Sequence, residues 1–473
     1  MAIDLSVKDL SFINKIKSMA VIGTSAKRNF FFLKNHQESF KGPLYAINPT
    51  VKEIPEFPKE NIYKSIKDVP EDVDFAFIAV PAKQVLSVID ECIEKGVKLV
   101  SIFSAEFSDA GTKEGIELER ELLTRANNKI RILGPNGMGL FYPKLGIAWR
   151  GFFPNTQGNI GLIAQSGGMC NIAIYTSIEL GINFSKVFSF GNGADLDFVD
   201  LFYFLSNDPE TEVILLYIEG IKQNRFDALK KLLRQNTKPV IALKGGKSPS
   251  GSKAVKTHTA SIAGNSKIWS TLFKQYNVIE VESLEQLLYT AQIIDFYGMN
   301  EFKNVAVFSI SGGYGVVLVD LIEKHGMIVS PFSDEIQQKL DEQFFINGTS
   351  SKNPLDVAAQ MFHSRTLIDI VDLALSDKRI DTLIMDMPSW YFNHKYYITR
   401  DTHFNENIET VFKLGLKHHK PLIPIIQRAH CPEESHRMAK KLVKSKIAVF
   451  ENPLDFIPLL SKISYMKKRM QNY

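Results

Sequence analysis

The chain has 473 residues, which at about 150 residues per domain implies roughly three domains. Apolar residues make up 45% and charged residues 23%, ordinary globular values that exclude disordered, collagen-like and coiled-coil classes. A formal net charge of +4 is too mild to argue for a nucleic acid or an anionic membrane as partner.

Cys92, Cys170 and Cys431 are widely spaced and odd in number. They suit a reducing compartment and form neither a disulfide framework nor a zinc site. No apolar run is long enough to span a bilayer, and the opening MAIDLSVKDLSF carries acids before any apolar run, unlike a secretory signal. The expectation is a cytoplasmic protein.

Apolar runs predict strands at Met19–Gly23, Leu44–Ile47, Phe75–Val80, Leu99–Phe103, Ile130–Leu133, Ile160–Ala164, Val213–Ile218, Val240–Leu243, Val305–Ile310, Thr382–Met385 and Leu422–Ile426. They are apolar almost throughout rather than alternating, as in parallel sheets buried on both faces. Helical spacing between them, as in Gln84–Lys95 and Asp227–Leu233, makes the class α/β. Turn-rich stretches at 141–159 and 296–304 suggest joints, giving domains of 1–143, 144–298 and 299–473. Ile160–Gly168 (IGLIAQSGG) is echoed by Val305–Gly313 (VAVFSISGG), which two related doubly wound domains would explain as well as chance would.

Ligands of open α/β sheets gather beyond the carboxyl ends of the strands, so the residues there are the candidates. Gly23, Thr24, Ser25, Lys27 and Arg28 follow the first strand. A glycine turn, two hydroxyls and two cations can face a phosphate. The G-x-G-x-x-G dinucleotide fingerprint is absent. Asn48-Pro49, Val80-Pro81 and Gly134-Pro135-Asn136 end the next strands. Each alone is an ordinary turn; together they point to one cleft. Gln165-Ser166-Gly167-Gly168 opens a helix with free amides for a phosphoryl group. Ala164 stands where the hydrolase elbow needs glycine. Glu219 ends another strand. Lys238–Lys267 carries six lysines, no acid and His258, an anion-attracting stretch. Ile241 rules out a P-loop there. His258 among hydroxyls is a phosphoryl acceptor, a general base or simply exposed. The remaining histidines show no metal-ligand spacing, so no metal site is expected. Phe30-Phe31-Phe32 and Trp390–Phe392 read as packing.

Taken together, these motifs resemble the nucleoside-diphosphate-forming acyl-CoA synthetases, relatives of succinyl-CoA synthetase, and more narrowly the alpha subunits of ADP-forming acetyl-CoA synthetases. The resemblance covers nearly the whole chain. It includes Val21–Ser25, Asn48-Pro49, Ile78–Pro81 and Gly134–Asn136, then Gln165–Gly168, Ser189–Asn192, Ile218–Gly220 and Thr257–Gly264. Ser311–Gly313, Asn353–Asp356 and Val449–Pro453 complete it. Thr257–Gly264 is similar to that family's phosphohistidine loop.

The resemblance implies a Rossmann-like CoA-binding domain followed by two flavodoxin-like doubly wound domains. Gly23, Thr24, Ser25, Lys27, Asn48, Pro49, Val80, Pro81 and Asn136 would bind coenzyme A. Gln165, Ser166, Gly167 and Gly168 would bind phosphate, His258 would carry the phosphoryl group, and Glu219 would orient its ring. It also implies acyl phosphate as intermediate, a small carboxylic acid as product, and an ATP-grasp beta subunit in a heterotetramer. Mg2+ and ADP/ATP would sit on that partner. Where that family commonly has glycine, this chain has the Phe30–Phe32 run, Glu106 and Ala260; Gly137 takes a position often held by cysteine. Two alternatives stay open: a non-catalytic CoA or acyl-CoA sensor or scaffold, and a carbamoyl- or oxamate-handling relative.

Overall fold

The computed structural model describes residues 7–258, 266–392, 403–428 and 431–471, with the backbone alone at 223, 254–258 and 359. The chain divides into two compact units, one of Met1–Ile178 with Ile182–Leu287 and one of Glu179–Gly181 with Leu288–Tyr473.

The first unit holds two sheets. The first comprises β1 (Met19–Ile22), β2 (Leu44–Ile47), β3 (Ile62–Tyr63), β4 (Phe75–Ile78), β5 (Leu99–Ile102) and β6 (Arg131–Leu133). These strands pair in parallel in the order β3-β2-β1-β4-β5-β6, the Rossmann order. Every residue of β1, β2, β4 and β5 is buried, which is why their sequences are apolar without alternation. Helices α1 (Phe31–Gln37), α2 (Ala82–Lys95) and α3 (Lys113–Ala126) follow β1, β4 and β5. α2 turns Val85, Ile89 and Cys92 into the core and stops at Gly96, whose φ of 81° makes the left-handed cap that glycine favours. α3 starts at Thr112, which accepts the Gly115 amide at 3.1 Å.

The second sheet comprises β7 (Gly139–Phe141), β8 (Ile160–Ala164), β9 (Phe184–Ser189), β10 (Val213–Ile218), β11 (Val240–Lys244) and β12 (Val278–Val281). Its order is β12-β11-β10-β8-β9-β7, with β7 antiparallel at the edge. Without β7 this is the flavodoxin-like order. Helices α4 (Gly167–Leu180), α5 (Phe198–Asn207), α6 (Phe226–Gln235), α7 (Pro249–His258) and α8 (Ser266–Gln275) lie between its strands. β7 joins this sheet ahead of the 143/144 boundary read from turn composition. β9 is absent from the sequence-based strands because Lys186 interrupts its apolar run. That side chain is fully buried and paired with Asp208 at 2.8 Å and Glu210 at 2.7 Å.

The second unit carries β13 (Val305–Ser309), β14 (Leu355–Asp356), β15 (Thr382–Asp386) and β16 (Leu422–Ile425), parallel in the order β14-β13-β15-β16. The sequence echo has a local counterpart. Ser166 accepts the Met169 amide at 3.3 Å, and Ser311 accepts the Tyr314 amide at 3.5 Å. Each strand therefore runs into a serine-capped helix. Among the described residues, no helix is long and apolar enough to cross a membrane.

Candidate active site

Strand order places the site. In the first sheet the chain reverses direction of winding between β1 and β4; in the second it does so between β8 and β10. A crevice opens at such a switch point, beyond the carboxyl ends of the strands. The residues there are Gly23–Ser25 and Ala79–Pro81 in the first sheet, and Gln165–Gly168 and Glu219 in the second.

The loops of the first sheet are laced together. The Gly23 amide donates to Ile47 O at 3.0 Å and the Ala79 amide to Ile22 O at 2.8 Å. Asn48 Nδ2 donates to Thr24 O at 2.5 Å, while Asn48 Oδ1 accepts the Thr50 and Val51 amides. The Ser104 hydroxyl donates to Val80 O, and the Asn136 amide to Ser104 O at 2.9 Å. Gly23 has φ of 93°, and a Cβ there would lie 2.7 Å from Ala79 O; no other residue fits so close a crossing.

These loops line a cleft of about 1080 Å³ that includes Gly23, Thr24, Ser25, Asn48, Pro49, Val80, Pro81 and Asn136, and also Gly167 and Gly168 of α4. Arg28 and Lys64 are the cations on its wall, Glu91 and Glu106 the acids. Lys27 is exposed in the short turn Ala26–Arg28 and is not among the lining residues, whereas Arg28 is. One turn of a tight helix separates adjacent side chains by about 120°, which residue order alone does not resolve. The three phenylalanines also divide. Phe32 packs on Phe77 and Phe103 at 4.8 and 4.7 Å between centroids. Phe31 meets Phe32 edge-on at 5.2 Å between centroids, yet it is 44% exposed and lines the cleft, so it both packs and faces the cleft.

In the second sheet, Ser166 caps α4 by accepting the Met169 amide at 3.3 Å, and Gly167 and Gly168 at the helix N-terminus line the cleft. Gly168 is open, with only Ser166 Oγ nearby at 3.7 Å from a Cβ placed there. Gln165 is buried, its carbonyl holding the Gly191 amide at 3.2 Å. Gln165 and Ser166 do not themselves line the cleft. Glu219 follows β10 and accepts a hydrogen bond from the Tyr217 hydroxyl, which burial and that carboxylate push up to about 12. His258 ends α7; its side chain, and residues 259–265 with Ala260, lie outside the described residues.

Sequence reasoning missed Asn192 as a tie between the two sheets. Its amide donates to Asp109 Oδ1 and Glu119 Oε2, both at 2.9 Å. It also missed the surroundings of Glu219, since neither Tyr217 nor Lys244 stands out from an apolar strand. No group of three or more metal-ligating side chains occurs among the described residues.

The cleft has room for an elongated ligand, with Arg28 and Lys64 on its wall to meet anionic groups. Its volume of about 1080 Å³ is slightly above the about 300–1,000 Å³ usual for ligand sites. The comparisons agree. Residues 17–143 match a CoA binding domain model, and residues 157–294 match the succinyl-CoA ligase like flavodoxin domain. The chain is 33% identical over 452 residues to the Pyrococcus furiosus acetate–CoA ligase [ADP-forming] II subunit alpha, covering 94% of this chain and 95% of that one. It is 35% identical to the Methanocaldococcus jannaschii acetate–CoA ligase [ADP-forming], over 74% of this chain but 49% of that longer protein. A solved structure of the dinucleotide-forming acetyl-coenzyme A synthetase 1 of Ca. Korarchaeum cryptofilum, in complex with phosphate and ADP, superimposes with a TM-score of 0.83. It is 28% identical and covers 98% of each chain. With 33% identity to the P. furiosus subunit across nearly all of both chains, the protein belongs to the ADP-forming acyl-CoA synthetases.

Proposed function

We propose that this chain is the alpha-type subunit of an acyl-CoA synthetase that interconverts acyl-CoA, phosphate and ADP with a carboxylic acid, CoA and ATP. The observation that carries this reading is the shared wall of the cleft. The loops of the first sheet and the glycine amides of α4 line one space, so a thioester carbonyl and an attacking phosphate can meet there. In this reading residues 1–143 hold CoA, residues 144–298 carry the phosphoryl chemistry, and 299–473 form a further doubly wound domain.

Phosphate oxygen attacks the thioester carbon; the C–S bond breaks, and the CoA sulfur leaves as thiolate and takes a proton. The α4 amides and helix dipole stabilise the phosphate charge. A neutral His258 nitrogen then attacks phosphorus, the P–O bond to the acyl oxygen breaks, and the carboxylate departs. The Glu219 carboxylate accepts a hydrogen bond from the N–H of the other ring nitrogen, stays ionised and fixes the tautomer. The phosphoryl group passes to ADP on an ATP-grasp partner, the beta subunit of a heterotetramer, where Mg2+ would be held with the nucleotide. The M. jannaschii relative, about twice as long, leaves room in one chain for such a partner's sequence.

Thiol release tests this reading. Mixed with acetyl-CoA and phosphate, the chain alone will release CoA thiol in a burst of at most one equivalent. Sustained release and ATP formation will need ADP and the partner. Absence of any burst under these conditions overturns the reading.

A further inference from the structure

The two sheets of the first unit share a crossing at the cleft. Gly137 and Met138, just after β6, line it together with Gly167 and Gly168 at the start of α4. The backbone of this turn is knit to the loop after β9. The Met138 amide donates to Ser189 Oγ at 3.0 Å, and the Asn192 and Ala194 amides donate to Pro135 O at 2.9 Å and Gly134 O at 3.1 Å. Two glycines let these backbones cross. A Cβ at Gly137 would lie 2.6 Å from Ser189 O, and one at Gly191 would overlap Pro135 O. The turn is therefore held in place, while the half-buried Met138 side chain, unbranched and polarizable, keeps its freedom to fit what lies against it.

Gly167 shows where that side chain goes. A Cβ there would overlap Met138 Cγ and lie 3.4 Å from its sulfur, so the thioether covers the first residue of α4. Around it the start of α4 offers backbone, since Gly167 and Gly168 have no side chains. A phosphate held at these amides attacks a thioester carbon about 3–3.5 Å away. The acyl chain begins one bond from that carbon, so it starts beside Gly167, and Met138 is the apolar side chain it meets there.

We infer that Met138 sets the acyl-length preference: its thioether closes this end of the cleft to chains much longer than acetyl. The inference rests on the reading of the chain as an acyl-CoA synthetase. One methylene gained or lost in an apolar pocket changes discrimination about 10–200-fold. Truncation of Met138 to alanine removes the sulfur and the carbons on either side of it, which is the room by which pentanoyl exceeds acetyl.

The test is the rate of thiol release from acetyl-CoA and from pentanoyl-CoA, each with phosphate, by the full chain and by Met138→Ala, Met138→Val and Met138→Leu. The wild type favours acetyl-CoA. Met138→Ala raises the pentanoyl-to-acetyl ratio at least about ten-fold, and Met138→Leu, close in volume, keeps it within a few-fold. A merely structural role would lower both rates together and leave the ratio alone. Binding of CoA itself, measured by calorimetry, shows which variants keep their cleft. Met138→Val carries the test, with a smaller rise in the ratio, if Met138→Ala does not fold. An unchanged or falling ratio in a variant that binds CoA overturns the inference, as does a wild type that prefers pentanoyl-CoA. If the wild type releases no thiol from either substrate, the underlying reading fails and this inference with it.

Discussion

The Asn48 side-chain amide donates to the Thr24 carbonyl oxygen at 2.5 Å while its own oxygen accepts the Thr50 and Val51 amides. One side chain thus joins the loop after β2 to the loop after β1 and shapes both. Asn48→Ala removes these bonds, at about 1 kcal/mol each. We expect a lower melting temperature and roughly ten-fold weaker CoA binding by calorimetry. Unchanged melting and unchanged affinity would show that the loops hold their shape without it.

Arg28 and Lys27 are neighbours with different surroundings, since Arg28 lines the cleft and Lys27 does not. A charge-assisted hydrogen bond to a phosphate contributes about 1.5–3 kcal/mol. Arg28→Ala will raise KM for the CoA substrate at least about ten-fold, and Lys27→Ala will leave it near the original value. The reverse ranking in steady-state kinetics would show that the cleft is lined the other way.

Phe30 and Glu106 both adopt left-handed backbone, with φ of 53° and 77°, a region that favours glycine. A side chain in that region costs about 1–2 kcal/mol. Glu106 is exposed, so Glu106→Gly relieves strain and loses little; its melting temperature should rise by a few degrees. Phe30 is 8% exposed, and burial of its ring contributes about 1.5–3 kcal/mol, which exceeds the strain. Phe30→Gly should therefore melt lower. Calorimetric melting of both variants checks the opposite signs.

His36 is buried, and burial holds its imidazole down at about 3 instead of 6.5. Its Nδ1 accepts the Ala148 amide at 3.3 Å, which requires the neutral ring. The unfolded chain takes up a proton near pH 6.5 and the folded chain does not until near pH 3. Stability is therefore present above pH 6.5 and lost as pH falls through that window, by up to about 1.4 kcal/mol per pH unit. Urea melts of His36→Gln across the window should show a shallower decline than the wild type. Parallel curves would contradict the assignment.

Much of this was readable in advance because burial on both faces writes itself into composition. β2, β8 and β10 match their apolar runs residue for residue. The short β3 and β14 carry too few residues for any pattern, and β9 hides behind Lys186, whose charge is matched only across the fold by Asp208 and Glu210. The cleft loops were legible as strand-ending turns. Which of Lys27 and Arg28 turns inward, and how Tyr217 and Lys244 surround Glu219, depend on side-chain direction and register between distant segments, which no local pattern records.

The central claim is that His258 becomes a covalent phosphoryl carrier. Incubating the chain with labelled acetyl phosphate and mapping the label by mass spectrometry tests it most directly. The account predicts one acid-labile, base-stable phosphoryl group at His258, absent from His258→Asn. Label on another residue, or an undiminished yield in His258→Asn, would contradict it.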